Sequence, residues 1–253
     1  MARPNGAGPT SECVPVEYLA DRQAVLRAGR PLLYGSGADS SADLPAHVRA
    51  ASALRRYGAR LLVVQDDVNA FALVDPSGRV EPLLLPRGPD GRRVFEERRG
   101  TKRLKMDLEA CVALGDGRLV ALGSGSSPRR EQVVIVGACG EVEVRAAPEF
   151  YRTLRRCAYE LGAELNVEGA VLHDGCIRLL QRGNDARSTT PAGCNALLDL
   201  DADHFRRWID RADPAPDVSR IVQVGLGTVS GVAYGFTDGT VAADGSLAFL
   251  ACA

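Results

Sequence analysis

Three carboxylates stand at one position of a repeated phrase, and that spacing is where the sequence offers chemistry. Glu109 opens Glu-Ala-Cys-Val-Ala-Leu-Gly-Asp-Gly, Glu168 opens Glu-Gly-Ala-Val-Leu-His-Asp-Gly, and Asp238 opens Asp-Gly-Thr-Val-Ala-Ala-Asp-Gly. Each copy runs apolar, turns at Asp-Gly and runs apolar again; a fainter copy starts at Ser52. If the acids converge, they repel one another unless a cation, a proton or a basic side chain intervenes. An all-oxygen set of this kind suits Ca²⁺, Mg²⁺ or Mn²⁺ better than zinc. Asp107 and Asn166 precede two of the acids by two residues, which on extended backbone puts them on the same side as additional ligands. The competing reading is that these acids cap strand ends and bond to nearby amides or arginines.

The second chemical signal is compositional. Of 31 basic residues, all but Lys102 and Lys105 are arginine, and both lysines fall just before Glu109. A compact ammonium there could pair with the carboxylates or bind an anionic group of a substrate; a solvated charge run is the plainer alternative. Gln65, Asp66, Asp67, Ser124, Ser126, Arg182, Gly183 and Asn184 end the second strands of their copies. They are expected in loops at the opposite end from the acids.

A strand–turn–strand unit too small to bury its own face must stack on its neighbours, which predicts a repeat architecture. Strands this short predict an all-β fold, a β-propeller of about five blades, with six possible. The first blade is expected at 52–56, 61–65, 71–74 and 80–85. The second is expected at 110–114, 119–122, 132–136 and 142–146, and later strands at 196–200 and 220–226. Five Asp-Gly pairs, at 90, 116, 174, 238 and 244, supply turns at the spacing a meander needs. Two short helices are inserted at 148–162 and 202–211, the second capped by Asp201. Residues 1–13 read as disordered and 14–253 as a single propeller domain. Stretches 16–20 and 24–26 are candidate strands that could complete the last, two-stranded copy. In a propeller the innermost strands surround the axis, so Ser52, Glu109, Glu168 and Asp238 would ring one end of the channel.

Basic residues number 31 against 32 acidic ones, so no charge excess points to nucleic acid or membrane. No apolar run approaches the roughly 20 residues of a membrane span, and no signal-peptide core opens the chain. The expectation is a soluble, cytoplasmic protein. Seven scattered cysteines without a Cys-x-x-Cys pair read as buried thiols rather than disulfides or zinc ligands. Gly225-Leu-Gly227 lacks a following helix, so a dinucleotide fingerprint is rejected. The Ser124 region does not complete a nucleophile elbow.

At Asp107-Leu-Glu-Ala, Asn166-Val-Glu-Gly-Ala and Gly235-Phe-Thr-Asp-Gly, the chain resembles an uncharacterised bacterial β-propeller family. More distantly it is similar to esterase-like phytase and gluconolactonase–regucalcin propellers, over roughly residues 50–253. In the latter a Glu-Gly near the start of an inner strand helps hold a divalent cation, so the resemblance implies that role for Glu168. Glu109 is followed by Ala and Asp238 replaces Glu, and the phytase phosphate-site pattern is missing. The resemblance also implies a C-terminal truncation. Together these readings lead to a metal-dependent hydrolase of a small ester, lactone or phosphoester. Glu109, Glu168, Asp238, Asn166 and Asp107 would then hold the cation, with Lys102 and Lys105 on the substrate. The alternative is a non-enzymatic propeller that binds a small ligand or a protein.

Overall fold

The computed structural model describes residues 9–14, 17, 29–185 and 194–253. The strands, in chain order, are β1 (Thr10–Val14), β2 (Ala51–Tyr57), β3 (Arg60–Gln65), β4 (Ala70–Val74), β5 (Val80–Leu84), β6 (Leu108–Ala113), β7 (Leu119–Gly123), β8 (Gln132–Val136) and β9 (Val142–Ala146). Helix α1 (Pro148–Glu160) follows, then β10 (Ala163–Glu164), β11 (Val167–His173), β12 (Cys176–Gln181), β13 (Asn184–Asp185) and β14 (Asn195–Asp201). Helix α2 (Ala202–Ile209) leads to β15 (Val218–Val224), β16 (Thr228–Val229), β17 (Val232–Ala233), β18 (Gly235–Val241) and β19 (Leu247–Cys252). The chain divides into two compact units, Val16–Ala147 and Met1–Pro15 with Pro148–Ala253.

The first unit holds two four-stranded antiparallel meanders, β2-β3-β4-β5 and β6-β7-β8-β9. Their strands match the expected blades to within two residues at each end. Leu62, Val64, Phe71, Leu108, Leu119 and Val134 belong to one buried apolar cluster that joins the two sheets. First strand packs on first strand, β2 against β6, and Ser52 Oγ donates to the Leu108 carbonyl at 2.7 Å.

The second unit repeats the plan with additions. Its main sheet runs β1-β15-β14-β12-β11, and β18-β19 forms a two-stranded sheet whose first strand packs on β11. Leu180, Leu197, Val222, Val224 and Phe236 fill the space between them. Both expected helices form. Asp201 caps α2 by accepting from His204 N at 2.7 Å, and Trp208 stacks on Phe150 of α1 with ring centroids 4.7 Å apart.

Several expectations are corrected here. Disorder was expected through Cys13, but Thr10–Val14 is a strand, paired in parallel with β15. It therefore extends the main sheet instead of completing β18-β19; stretches 16–20 (apart from Glu17) and 24–26 lie outside the described residues. Cys111 and Cys157 are buried, whereas Cys13, Cys139 and Cys252 are exposed, because they sit on β1, in the β8–β9 turn and on the outer strand β19. Asp238-Gly239 is not a turn but lies within β18. No helix among the described residues is long and apolar enough to cross a membrane.

One irregularity recurs at the start of every first strand. The ladder skips a residue between Ala51 and Ala53, Leu108 and Ala110, Val167 and Gly169, and Phe236 and Asp238. A bulge sets one residue outside the regular register and re-aims its side chain. The four bulged residues are thus Ser52, Glu109, Glu168 and Thr237. Asp238 stands one place further along: the β18–β19 connection is as long as β6–β7, and the place equivalent to Glu109 is Thr237.

Close backbone approach fixes the glycines next to these bulges. A Cβ on Gly123 would lie 2.1 Å from the Arg130 carbonyl oxygen and 2.9 Å from that of Met106. Neither neighbour is the movable end of a side chain. Gly123→Ala is expected to lower unfolding stability by about 3 kcal/mol in urea denaturation, while Gly58→Ala, which meets nothing within 4 Å but has φ +58°, costs only about 1 kcal/mol of backbone strain.

Candidate functional site

In an antiparallel hairpin the second strand ends beside the start of the first. The residues that follow each second strand therefore share an end with the bulged acids, not the opposite end as expected. The same rung marks this end in three sheets: Asp66 N donates to Ala50 O, Ser124 N to Asp107 O, and Arg182 N to Asn166 O, each at 2.9 Å. Two sheets also share a glutamine strut. Gln65 accepts from Arg49 N at 2.8 Å and donates to the Ala70 carbonyl. Gln181 accepts from Asn166 N at 2.9 Å and donates to the Glu164 carbonyl.

The densest chemistry lies in the first unit, where Asp66, Asp107 and Glu109 each place a carboxylate oxygen within 4.8 Å of the others. Lys105 is inside this group. Its ammonium contacts carboxylate oxygens of both Asp66 and Asp107, and its side chain is only 6% exposed. Asp107 is also held by Arg130 at 2.8 Å and by Ser124 Oγ at 2.6 Å. Ser126 links Ser124, at 2.9 Å, to Arg130, at 2.8 Å. Asp107 has φ 57°, a left-handed conformation that aspartate tolerates better than most side chains.

The charges respond to this packing in different directions. Burial is the largest influence on Asp66 and raises its carboxyl above the usual range, with Lys105 only partly offsetting it. Burial pushes Asp107 upward too, but hydrogen bonds from Lys105 and Ser124 and the nearby charges outweigh it, so its carboxyl lies below the usual range. For Lys105, burial alone would weaken the ammonium; Asp107 and Asp66 reverse that and raise it.

The other expected site residues divide by unit. Glu168 accepts from Asn166 Nδ2 at 2.7 Å and lies 3.5 Å from an Arg182 nitrogen. A Cβ on Gly169 would lie 3.2 Å from Asp238 Cα, so the Glu-Gly glycine admits the backbone of β18. Asp238 Oδ1 accepts from Gly239 N at 2.7 Å. The structure therefore groups Asp107 and Glu109 with Asp66 and Lys105, and sets Asp238 beside the Glu168–Gly169 corner. Lys102 is half exposed, with Glu97 at 4.0 Å.

Arg49, Glu96 and Arg130 carried no sequence signal, because they lie outside the repeated phrase. Arg49 bridges Asp67 at 2.8 Å and Glu96 at 2.5 Å. Arg98 and Arg99 also reach Glu96, at 2.7 and 3.0 Å. The aperiodic excursion 86–103 is thereby tied to the end of β3, aided by Phe95 N donating to Asp67 O at 2.9 Å.

Over residues 47–253 the chain belongs to the family of unknown function DUF6929. No curated protein matches it. Among solved structures it is similar to a streptogramin B lyase, at 12% identity and TM-score 0.38 over 79% of this chain and 48% of that one. It is also similar to virginiamycin B lyase from Staphylococcus aureus, at 10% identity and TM-score 0.40 over 79% of this chain and 63% of that one. The chain thus spans about half the length of the first of these structures. At such TM-scores the fold rests on the strand pairing described above.

Hydrogen bonds from Arg98 and then Arg49 hold the Glu96 carboxyl down to about 2. A depressed carboxyl contributes stability that is present above its ordinary range and lost as pH falls through the folded-state value. The excursion is expected to undock between the usual glutamate range and about pH 2, read as faster amide exchange at 94–101. Glu96→Gln should show that faster exchange already at neutral pH.

Proposed function

We propose that this member of a family of unknown function is built as blades of a β-propeller whose bulged end is a ligand-binding face. In this reading the acids of the first unit are internal counter-charges. The observation that carries it is the Lys105 ammonium seated against both Asp66 and Asp107. With Arg130 on Asp107, two cations face three carboxylates. The repulsion that made a metal attractive is largely met by the chain itself. A divalent ion would have to displace a buried, doubly paired ammonium. The propeller reading draws on successive four-stranded meanders, first strands packed on one another and a bulge at one repeated position. Five blades remain the proposed total, with six the alternative.

One observation favours a second reading. The close approach of the Asp66, Asp107 and Glu109 carboxylates suits Ca²⁺, Mg²⁺ or Mn²⁺. A cation there would supply a water of lowered pKa for hydrolysis of a small ester, lactone or phosphoester. Glu168, Asp238 and Asn166 would join as ligands only under the full ring arrangement, and Lys102 would bind the substrate anion.

Thermal melts separate the two. Under the first reading, wild-type melting is indifferent to Ca²⁺, Mg²⁺, Mn²⁺ and EDTA. Under the second, metal at 100 times its dissociation constant adds about 2.7 kcal/mol, and EDTA abolishes turnover of an ester, lactone and phosphoester panel. Lys105→Met sharpens the contrast. Removing the ammonium strands buried carboxylates and is expected to cost about 3–5 kcal/mol. Divalent cations should restore part of that loss in the variant alone.

A further inference from the structure

The main sheet of the second unit is covered at one edge by a strand that buries nothing. β15, β14, β12 and β11 pair antiparallel, and β1 is added beyond them, parallel to β15 from Thr10↔Arg220 to Val14↔Val224. All five β1 residues are exposed, whereas residues 195–200 of β14 are buried throughout. β1 is therefore held by edge hydrogen bonds, in the parallel pattern that is slightly the weaker per residue. Its side-chain ties are exposed as well. Glu12 and Arg220 pair with side chains 47% and 42% exposed, a kind of contact that contributes little, and Gln223 Nε2 donates to Ser11 Oγ only at 3.5 Å. Pro9 and Pro15 flank the strand in the sequence, and neither can donate a ladder hydrogen bond to lengthen it. A segment with so little buried apolar contact opens locally at low free energy.

The edge beneath it is firmly set. β15 buries Val218, Ile221, Val222 and Val224 and pairs along β14. Asp199 is taken twice by Arg178 and stands 3.7 Å from Arg220, so β15 without β1 presents a cation beside unpaired backbone groups. We infer that β15 is a strand-acceptor edge for an extended acidic segment of another protein. That segment runs parallel to β15 with a carboxylate where Glu12 stands opposite Val222, and β1 is the strap that it displaces. Main-chain hydrogen bonds supply the affinity of such strand addition, and side chains the selectivity. Arg220 opposes a basic segment and is left unanswered by an uncharged one. A second copy's β1 brings only what the chain already holds by tether, so exchange between copies gains nothing. This assignment does not rest on the reading of the bulged end.

The test uses the full chain. Glu12→Pro with Cys13→Pro, both exposed positions, removes the carboxylate and two adjacent N–H groups, one of which faces β15. Amide exchange at 218–224 should quicken in this double variant, and an acetylated, amidated peptide of residues 9–15 should slow it again. Wild type should bind that peptide at least about tenfold more weakly, because the tethered strand competes at a roughly millimolar effective concentration. A peptide carrying Glu12→Gln should bind the double variant about two- to fivefold more weakly, a difference that should vanish when Arg220→Gln is added to the protein. In wild type, amides 10–14 should exchange by local opening, well before those of β14. Unchanged exchange at 218–224, no peptide binding at about 1 mM, equal binding by wild type, or a Gln peptide as tight as its parent each overturns the assignment. So does wild-type exchange of 10–14 only together with β14, a result that needs no variant to fold.

Discussion

A lysine ammonium withdrawn from water between two carboxylates sets the terms for the first unit. Burying an ion costs several kcal/mol unless partners replace its hydration. Lys105 recovers that cost only because Asp66 and Asp107 reach it together. Asp66 follows β3 and Asp107 precedes β6, so the pair ties two separate sheets at one end. Arg130 and Ser124 then hold the far side of Asp107, which brings the β7–β8 connection into the same contact. An apolar cluster joins the two sheets through their faces, but hydrophobic burial is non-directional. The ion pairs and the Ser52–Leu108 hydrogen bond are directional, and they define which strand ends meet.

The bulges make that arrangement repeatable. Skipping one residue re-aims a side chain at the same place in each first strand, and the backbone rung beside it closes identically at Asp66, Ser124 and Arg182. Different side chains then occupy equivalent places. An acid, a hydroxyl and a guanidinium follow the three second strands, which is how one backbone plan yields a lysine-centred cluster in one unit and a Glu168–Arg182–Asn166 group in the other. The glutamine strut follows the same logic. Gln65 and Gln181 fill it, whereas Gly123 cannot be anything larger because of the Arg130 carbonyl.

The main sheet of the second unit depends on a charge pair across its strands. Arg178 and Asp199 stand opposite in register and form two hydrogen bonds, at 2.6 and 3.0 Å. Arg220, next in register, lies 3.7 Å from the same carboxylate, and Glu12 of β1 pairs with Arg220 in turn. This line of alternating charge explains why an exposed, mostly polar segment joins the sheet: β1 adds hydrogen bonds and a carboxylate to an edge that would otherwise carry an unbalanced arginine.

The repeat, the strand boundaries in both meanders, the two helices and the Asp201 cap were all legible in the sequence. Each depends on local chemistry: alternation of apolar residues, Asp-Gly turns, helical spacing and an N-cap side chain. The position of the first-strand acids was legible to within one residue: with equal turns in the two copies, the place equivalent to Glu109 is Thr237, and the acid follows it at Asp238. What joins the acids was legible only as one of two alternatives, an ammonium on the carboxylates or on a substrate anion. Lys105 lay in view as one of two lysines, yet a substrate-binding lysine and an internal counter-ion have the same sequence. Only the approach of Asp66 from another sheet distinguishes them, and Arg49 drawing the excursion 86–103 onto β3 is of the same kind. Sequence by itself determined what is set within a hairpin's length. Tertiary structure decided which charges meet, because Coulomb and hydrogen-bond partners are chosen by distance in space, and distant chain segments reach one another only after the sheets have packed.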